Sequence, residues 1–346
     1  MENPYKRADE TKNEVSVSSR RVKTLGGENS SIQKVAVIGA GIMGHGIAQT
    51  CALAGYKTFI TRRRVELFKE TYNRIKSNLE TFVKKGIITR SDVDNTLSRI
   101  EFKKSVSEAA QSADFVIEAV VENMDLKKKI FKELDENCPR HAILATNTSS
   151  FSITEIASVT ARQDKVVGTH WWNPPHLMPL VEIVKGERTS DETIKTTKDF
   201  IISLGKVPVI CKDSPGFLGV RLQAALVIEA ISMLEEGLAT AEDIDTAVKL
   251  TLGLRLPILG PLETVDLGGM DTFLYAYNYL YNTLGERFKP PDLLRRKVES
   301  GELGIKTGKG FYDYSGKSIE SIIKHRDEWL IGQLKSRGLL KFKKSQ

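Results

Sequence analysis

The chain has 346 residues, 40% of them hydrophobic and 27% charged, enough apolar material to bury a core in each of two compact domains. No apolar run approaches the roughly 20 residues of a membrane-spanning helix, and the three cysteines, Cys51, Cys138 and Cys211, lie far apart without CxxC spacing, which excludes a zinc site or a disulfide framework. A formal charge of +7 suits nucleic acid, a membrane surface or a phosphorylated small molecule. The lysines and arginines are scattered, however, and form no basic block interleaved with aromatics, so neither nucleic acid nor a membrane is expected as a partner.

Residues 1–33 are polar and lack an apolar core, which argues against a secretory signal; Glu2, Asp9, Glu10 and Glu14 argue against a transit peptide. This segment reads as a flexible extension of a cytoplasmic protein. From 34 to 212, short β-branched runs alternate with amphipathic stretches, the pattern of βαβ units around a mostly parallel, doubly wound sheet in an α/β domain. Strands are expected at Val35–Ile38, Thr58–Thr61, Phe115–Ala119, Ile143–Ala145, Val166–His170, Leu180–Val184 and Val207–Cys211. Ser214-Pro215-Gly216 then breaks the pattern, and 213–316 reads as a mainly α-helical domain. Helical spacing runs over Phe217–Leu234 and ends at Gly237, and Thr240 with Asp243 marks the N-cap of a helix through Leu250. Residues 317–346 form a basic tail or one more helix.

The run from Val35 to Gly44 places GxGxxG (Gly39, Gly41, Gly44) directly after an apolar strand and at the opening of a helix that ends near Gly55. In that context Gly39 allows a tight turn, Gly41 lets the backbone of the Ile42-Met43 stretch approach a pyrophosphate, and Gly44 permits close helix–strand packing. The helix N-terminus offers its free N–H groups to phosphate. This reads as a Rossmann-type site for a nicotinamide dinucleotide. The second strand of such a unit usually ends in a carboxylate that bonds the adenosine ribose, but here it ends Thr61-Arg62-Arg63-Arg64. Three arginines suit the 2′-phosphate of NADP, since guanidinium forks bind phosphate through paired charge-assisted hydrogen bonds. A solvent-facing basic turn that tolerates either NAD or NADP is the competing reading.

A second block runs Asn147-Thr148-Ser149-Ser150, Gly168-Thr169-His170-Trp171-Trp172-Asn173-Pro174 and Leu180-Val181-Glu182; further motifs are Ser214-Pro215-Gly216-Phe217, Gly260-Pro261-Leu262-Glu263 and Lys306-Thr307-Gly308-Lys309-Gly310-Phe311-Tyr312. Together with the glycine fingerprint, this series resembles the 3-hydroxyacyl-CoA dehydrogenase family from about Lys34 to Tyr314. The resemblance implies hydride transfer between the dinucleotide and C3 of an acyl-CoA, with His170 as the base that takes the 3-hydroxyl proton and Glu182 as its carboxylate partner. The chemistry asks for such a pair on its own account: histidine titrates nearest neutrality, and a carboxylate fixes its tautomer and stabilises the imidazolium. Family positions further assign Ser149 and Asn173 to substrate and nicotinamide contacts, Glu122, Lys127, Asn147 and Lys306 to the cofactor, and Asn78 and Lys85 to the CoA portion. Asn78 stands where serine is expected. The family habit is NAD, and a homodimer through the helical domain is implied.

Other residues take plainer readings. His45 packs at the first helix, His176 sits in the Pro-rich loop, and Trp171 and Trp172 shape the pocket wall. No metal is expected, because no two histidines share a helical face with a carboxylate between them. Besides Arg62, one departure matters: Val220 stands where the family carries an asparagine that reaches into the active site. Valine neither donates nor accepts, a loss on the order of a hundredfold in rate. Two other readings stay open: a dehydrogenase of small hydroxy acids, as the resemblance of the loop to gulonate and carnitine dehydrogenases implies, and a non-catalytic dinucleotide binder like the crystallins of this superfamily.

Overall fold

The computed structural model describes residues 32–340. The extension assigned to 1–33 lies, up to residue 31, outside the described residues, as does the tail beyond Leu340. In chain order the first part comprises β1 (Lys34–Ile38), α1 (Gly44–Leu53), β2 (Lys57–Thr61), α2 (Phe68–Lys84), α3 (Arg90–Ser98), β3 (Ile100–Lys103), α4 (Val106–Ala110), β4 (Phe115–Glu118) and α5 (Met124–Asn137). It continues with β5 (Ile143–Thr146), α6 (Ile153–Ala157), β6 (Val166–Trp171), β7 (Leu180–Lys185), α7 (Asp191–Ser203) and β8 (Val207–Lys212).

The strands form one sheet in the order β3-β2-β1-β4-β5-β6-β7-β8. Pairing is parallel from β3 through to β6, β7 runs antiparallel to β6, and β8 is parallel to β7. This is the Rossmann arrangement, in which the strand order reverses between β1 and β4 and ligands settle beyond the carboxyl ends at that point. Helices cover both faces, so every residue of β4, β5 and β6 is buried. The period of two along β1 divides the core: Val35 and Val37 pack on one face with Ile47, Phe115 and Phe200, while Ala36 and Ile38 pack on the other with Val116, Phe131 and Leu144.

Seven strands are expected and eight are present among the described residues, each of the seven matching within one residue at either end. The additional one, β3 (sequence IEFK), is an edge strand paired only with β2. Glu101 and Lys103 interrupt its apolar character, which suits an exposed edge and hides the strand from a reading that looks for apolar runs.

The chain divides into two compact units between Ala225 and Leu226, within α8 (Gly219–Glu235). The second unit continues with α9 (Ala241–Leu250), α10 (Leu252–Arg255), α11 (Pro261–Gly268), α12 (Met270–Leu284), α13 (Asp292–Glu299) and α14 (Ile319–Ser336). Thr240 caps α9 by accepting the Asp243 N–H at 3.1 Å, as its spacing implies. Asp266 of α11 organises this unit. Fully buried, it accepts N–H bonds from Phe311 and Tyr312, both at 3.0 Å, and the Tyr314 hydroxyl at 3.1 Å. A Cβ on Gly310 would stand 2.2 Å from the Asp266 carboxylate. Gly310 of the Lys306–Tyr312 motif therefore stays small because the loop wraps a buried carboxylate, and Gly308 stands at φ +78°. Lys306, expected at the cofactor, is exposed and bonds Asp271 within the same unit at 2.8 and 3.1 Å.

Candidate active site

The fingerprint turn is built as its residues require. Gly39 has φ +104°, and a Cβ there would meet the Ala119 carbonyl at 2.6 Å; a Cβ on Gly44 would fall 1.7 Å from the Gly39 carbonyl. A Cβ on Gly41, by contrast, would meet nothing within 4 Å. The space above that turn is open, as a pyrophosphate approaching the α1 N-terminus demands. Ile42 and Val121, which follow the carboxyl ends of β1 and β4, are 69% and 70% exposed, apolar lips at the point of strand reversal. The residues present therefore fit a dinucleotide.

At the end of β2, Arg62 is tied back into its own segment. Its Nη1 donates to the Leu67 carbonyl at 3.3 Å and to Thr71 Oγ1 at 3.1 Å, with Glu70 at 3.7 Å. Arg63 and Arg64 are exposed. Among the described residues, no carboxylate of β2 itself takes the place of the missing ribose partner.

His170 and Glu182 face each other directly across the antiparallel β6–β7 pair. That register puts side chains twelve positions apart in the chain on one face of the sheet. His170 Nδ1 lies 2.5 Å from Glu182 Oε2, and the two residues are 4% and 0% exposed. An ionised carboxylate can only accept, so Nδ1 carries the proton and donates; among the described residues Nε2 has no partner, and its lone pair is free to accept one. The other oxygen, Glu182 Oε1, accepts the N–H groups of Leu218 and Gly219, each at 2.9 Å. Burial works to raise the Glu182 carboxyl, but the bonds from His170, Gly219 and Leu218 outweigh it and hold its pKa below the ordinary 4.5.

The turn before α8 supplies those two amides. Gly216 and Phe217 both take positive φ, +72° and +49°, and for a buried phenylalanine this conformation costs about 1–3 kcal/mol. Gly219 cannot carry a side chain, because its Cβ would stand 2.2 Å from the Trp172 ring. Trp172 lies 5.1 Å from the His170 ring, and its indole N–H is buried with no hydrogen-bond partner among the described residues. Val220, the departure noted above, is the second residue of α8, beside these amides.

Asn147, one residue beyond β5, accepts the Trp171 N–H on its side-chain oxygen at 2.8 Å and donates its own N–H to the Glu118 carbonyl at 2.7 Å, so it ties together the ends of β4, β5 and β6. Ser149 and Asn173 are exposed on the loops that follow β5 and β6. Glu122 accepts the Thr148 hydroxyl and the Ser149 N–H, the latter at 3.0 Å. Lys127, expected at the cofactor, is instead only 1% exposed, and its ammonium is enclosed by Glu118 and Glu122. Asn78, on α2, donates to Gln49 Oε1 at 3.0 Å, and Lys85 is exposed just past the end of that helix. His45 bonds the Gly41 carbonyl through Nδ1 at 2.8 Å.

Sequence reasoning missed Glu118 and Lys206. Glu118 sits fully buried at the end of β4, the usual position of a core residue, and carries no motif signal. Lys206 is 8% exposed and donates to the Pro175 and Met178 carbonyls, both at 2.7 Å, which pins the Pro-rich loop after His170. A lysine before a strand reads as surface, and only the burial shows otherwise. Among the described residues no cluster of His, Cys, Asp and Glu is able to hold a metal, and no helix is long and apolar enough to cross a membrane.

Glu182→Gln is expected to lower the unfolding free energy by about 1–3 kcal/mol at neutral pH, since a buried charge-assisted bond is lost. The carboxyl is depressed on folding, so its contribution is complete above the ordinary value of 4.5 and fades as pH falls through the lower folded-state value. Urea unfolding of both proteins from neutral pH to about pH 3 should show the gap closing; a gap that does not change with pH would contradict an ionised Glu182.

The 3-hydroxyacyl-CoA dehydrogenase, NAD binding domain, matches residues 34–214, and the 3-hydroxyacyl-CoA dehydrogenase, C-terminal domain, matches residues 216–314. A probable 3-hydroxybutyryl-CoA dehydrogenase of Bacillus subtilis (strain 168) is 42% identical over 288 residues, which cover 83% of this chain and 99% of the relative. The crystal structure of (S)-3-hydroxybutyryl-CoA dehydrogenase from Ralstonia eutropha is similar at 39% identity and a TM-score of 0.63, covering 82% of this chain and 99% of that one. That of the 3-hydroxyacyl-CoA dehydrogenase from Archaeoglobus fulgidus gives 35% identity and a TM-score of 0.73, covering 89% and 99%. With both domains matched in order over a dinucleotide fold that brings His170 against Glu182, the chain belongs to the 3-hydroxyacyl-CoA dehydrogenase family.

Proposed function

We propose that this protein oxidises the 3-hydroxyl of an (S)-3-hydroxyacyl-CoA and reduces the corresponding 3-oxoacyl-CoA, with a short acyl chain such as 3-hydroxybutyryl as substrate. The observation that carries the reading is the buried His170–Glu182 pair with Nε2 left open. A bound nicotinamide supplies the hydride acceptor at C3. His170 Nε2 takes the hydroxyl proton as the carbonyl forms, and Glu182 holds the ring orientation and stabilises the imidazolium. Ser149 and Asn173, exposed on neighbouring loops, steer the substrate oxygen towards His170. Gly39, Gly41 and Gly44, with the Ile42-Met43 backbone, hold the pyrophosphate, and Asn78 and Lys85 contact the CoA portion.

The exposed arginines after β2, with no carboxylate in the ribose position, support use of NADP(H) at least as efficient as that of NAD(H). Following absorbance at 340 nm with acetoacetyl-CoA, turnover is expected with both reduced cofactors. A tenfold or greater preference for NADH would overturn the cofactor reading, turnover of free hydroxy acids alone would reassign the substrate, and binding without turnover would remove the enzymatic role. His170→Gln should lower kcat by about a hundredfold or more with dinucleotide affinity nearly intact, since general-base catalysis contributes roughly 10²–10⁴; a smaller loss would demote His170.

A homodimer through the helical unit is part of the same reading. Helix α8 has no buried residue despite its apolar sequence, and Ile228 and Ile231 are 64% and 58% exposed. A groove of about 400 Å³ lined by Leu226, Met233, Leu238 and Ile244 adjoins them. A second copy covers such a face with the same face of its own, as two-fold symmetry requires. Sedimentation should give about twice the 38.5 kDa chain mass, and a combined Ile228→Glu, Ile231→Glu variant the single-chain mass; a single-chain mass for the parent would end this proposal.

A further inference from the structure

We infer that Glu118 is a positioning residue that sets the place of Ser149 through Lys127 and Glu122. The inference rests on the reading of Ser149 as a substrate contact. Glu118 is the last residue of β4 and has no exposed surface. Its Oε1 accepts the Val120 N–H at 2.7 Å and the Lys127 ammonium at 2.9 Å, while Oε2 accepts the Thr146 hydroxyl at 2.6 Å and Lys127 at 3.0 Å. The carboxylate is thus fixed by the ends of two adjacent core strands.

Lys127 carries that rigidity outward. Its ammonium has three N–H groups, and the structure offers it three carboxylate oxygens: the two of Glu118 and Glu122 Oε2 at 3.2 Å. Two of its N–H groups bond Glu118, and the ammonium holds Glu122 as an ion pair, the link through which it bears on Ser149. Glu122 itself is 38% exposed and would, unanchored, sample many rotamers. Held on one oxygen by Lys127, it presents the other to the Thr148 hydroxyl and to the Ser149 N–H at 3.0 Å. The Glu118–Lys127 and Glu122–loop links are charge-assisted hydrogen bonds, shorter and more directional than neutral ones, and the Lys127–Glu122 link between them is an ion pair. The sequence of bonds runs from a buried strand end to an exposed loop.

The charge count gives the direction of the effect. One ammonium is shared between two carboxylates, and the buried one takes both of its hydrogen bonds. When Glu118 becomes neutral, Lys127 pairs fully with Glu122 and draws it away from the Ser149 amide.

Amide hydrogen exchange and steady-state kinetics on Glu118→Gln test this together. Exchange at Ser149 should rise at least tenfold while the amides of β5 keep their protection, and kcat with acetoacetyl-CoA should fall at least tenfold while KM for the dinucleotide stays within threefold. A merely structural role would instead loosen β4, β5 and the loop alike. Because an unbalanced buried ammonium can prevent folding, the charge-neutral pair Glu118→Gln, Lys127→Met is measured beside it, with the same rise in Ser149 exchange expected. Unchanged Ser149 exchange in either folded variant overturns the inference whether or not the enzyme turns over. Loosened Ser149 with full activity refutes its influence on the reaction. A parent protein that fails to reduce acetoacetyl-CoA refutes the proposed activity instead and leaves the exchange result to decide the positioning.

Discussion

The site depends on the Glu182 carboxylate being kept charged inside the protein. A carboxylate with no exposed surface survives there only if its oxygens are fully partnered, since an unpaired buried charge costs several kcal/mol. Glu182 meets that condition by spending one oxygen on His170 and the other on two backbone N–H groups at the start of α8. The strained Phe217, the packing of Trp172 on Gly219 and the antiparallel pairing of β7 are arranged around that requirement. The histidine is then fixed in one tautomer, with its second nitrogen left open.

The reversal in direction at β7 is what brings His170 and Glu182 together. A parallel β7 would need a long crossover after β6, and residues a dozen positions apart could not meet. With β7 antiparallel, the Pro-rich loop returns the chain at once, and Lys206 pins that loop by two of its carbonyls. The parallel strands β1, β4 and β5 deliver the glycine turn, Glu118 and Asn147 to the same end of the sheet. Two buried acid–base pairs therefore flank the carboxyl ends: His170–Glu182, left open at Nε2, and Glu118–Lys127, joined through both carboxylate oxygens. On the proposed reading the first does chemistry and the second holds the loop that carries Ser149.

Much of this was legible in the amino acids. Seven of the eight strands announce themselves as β-branched runs, and only β3, with charges at alternate positions, does not. The glycine fingerprint and the Thr240 cap carry local signals, because turn chemistry and capping depend on neighbours in the chain, whereas His170 and Glu182 are singled out by the resemblance of the motifs around them. Lys127 shows the opposite case: its sequence position pointed to the cofactor, and its burial against two carboxylates points inward. Glu118 and Lys206 had no signal at all, since a lone charged residue in a chain reads as solvated until its surroundings are known.

By itself the sequence determined the α/β class, the dinucleotide turn and the switch to helices after Asp213. These follow from periodicity and from residues whose conformational demands are local, such as Gly39. The candidate pair His170 and Glu182 comes from the resemblance of its motifs. Only the tertiary structure decided which charged groups are buried, which oxygen of each carboxylate meets which donor, and that Arg62 bonds its own segment while Arg63 and Arg64 face outward. The physical reason is that burial and hydrogen-bond partnership come from segments distant in the chain, and at those positions the packing of the whole sheet outweighs any preference that a single residue carries.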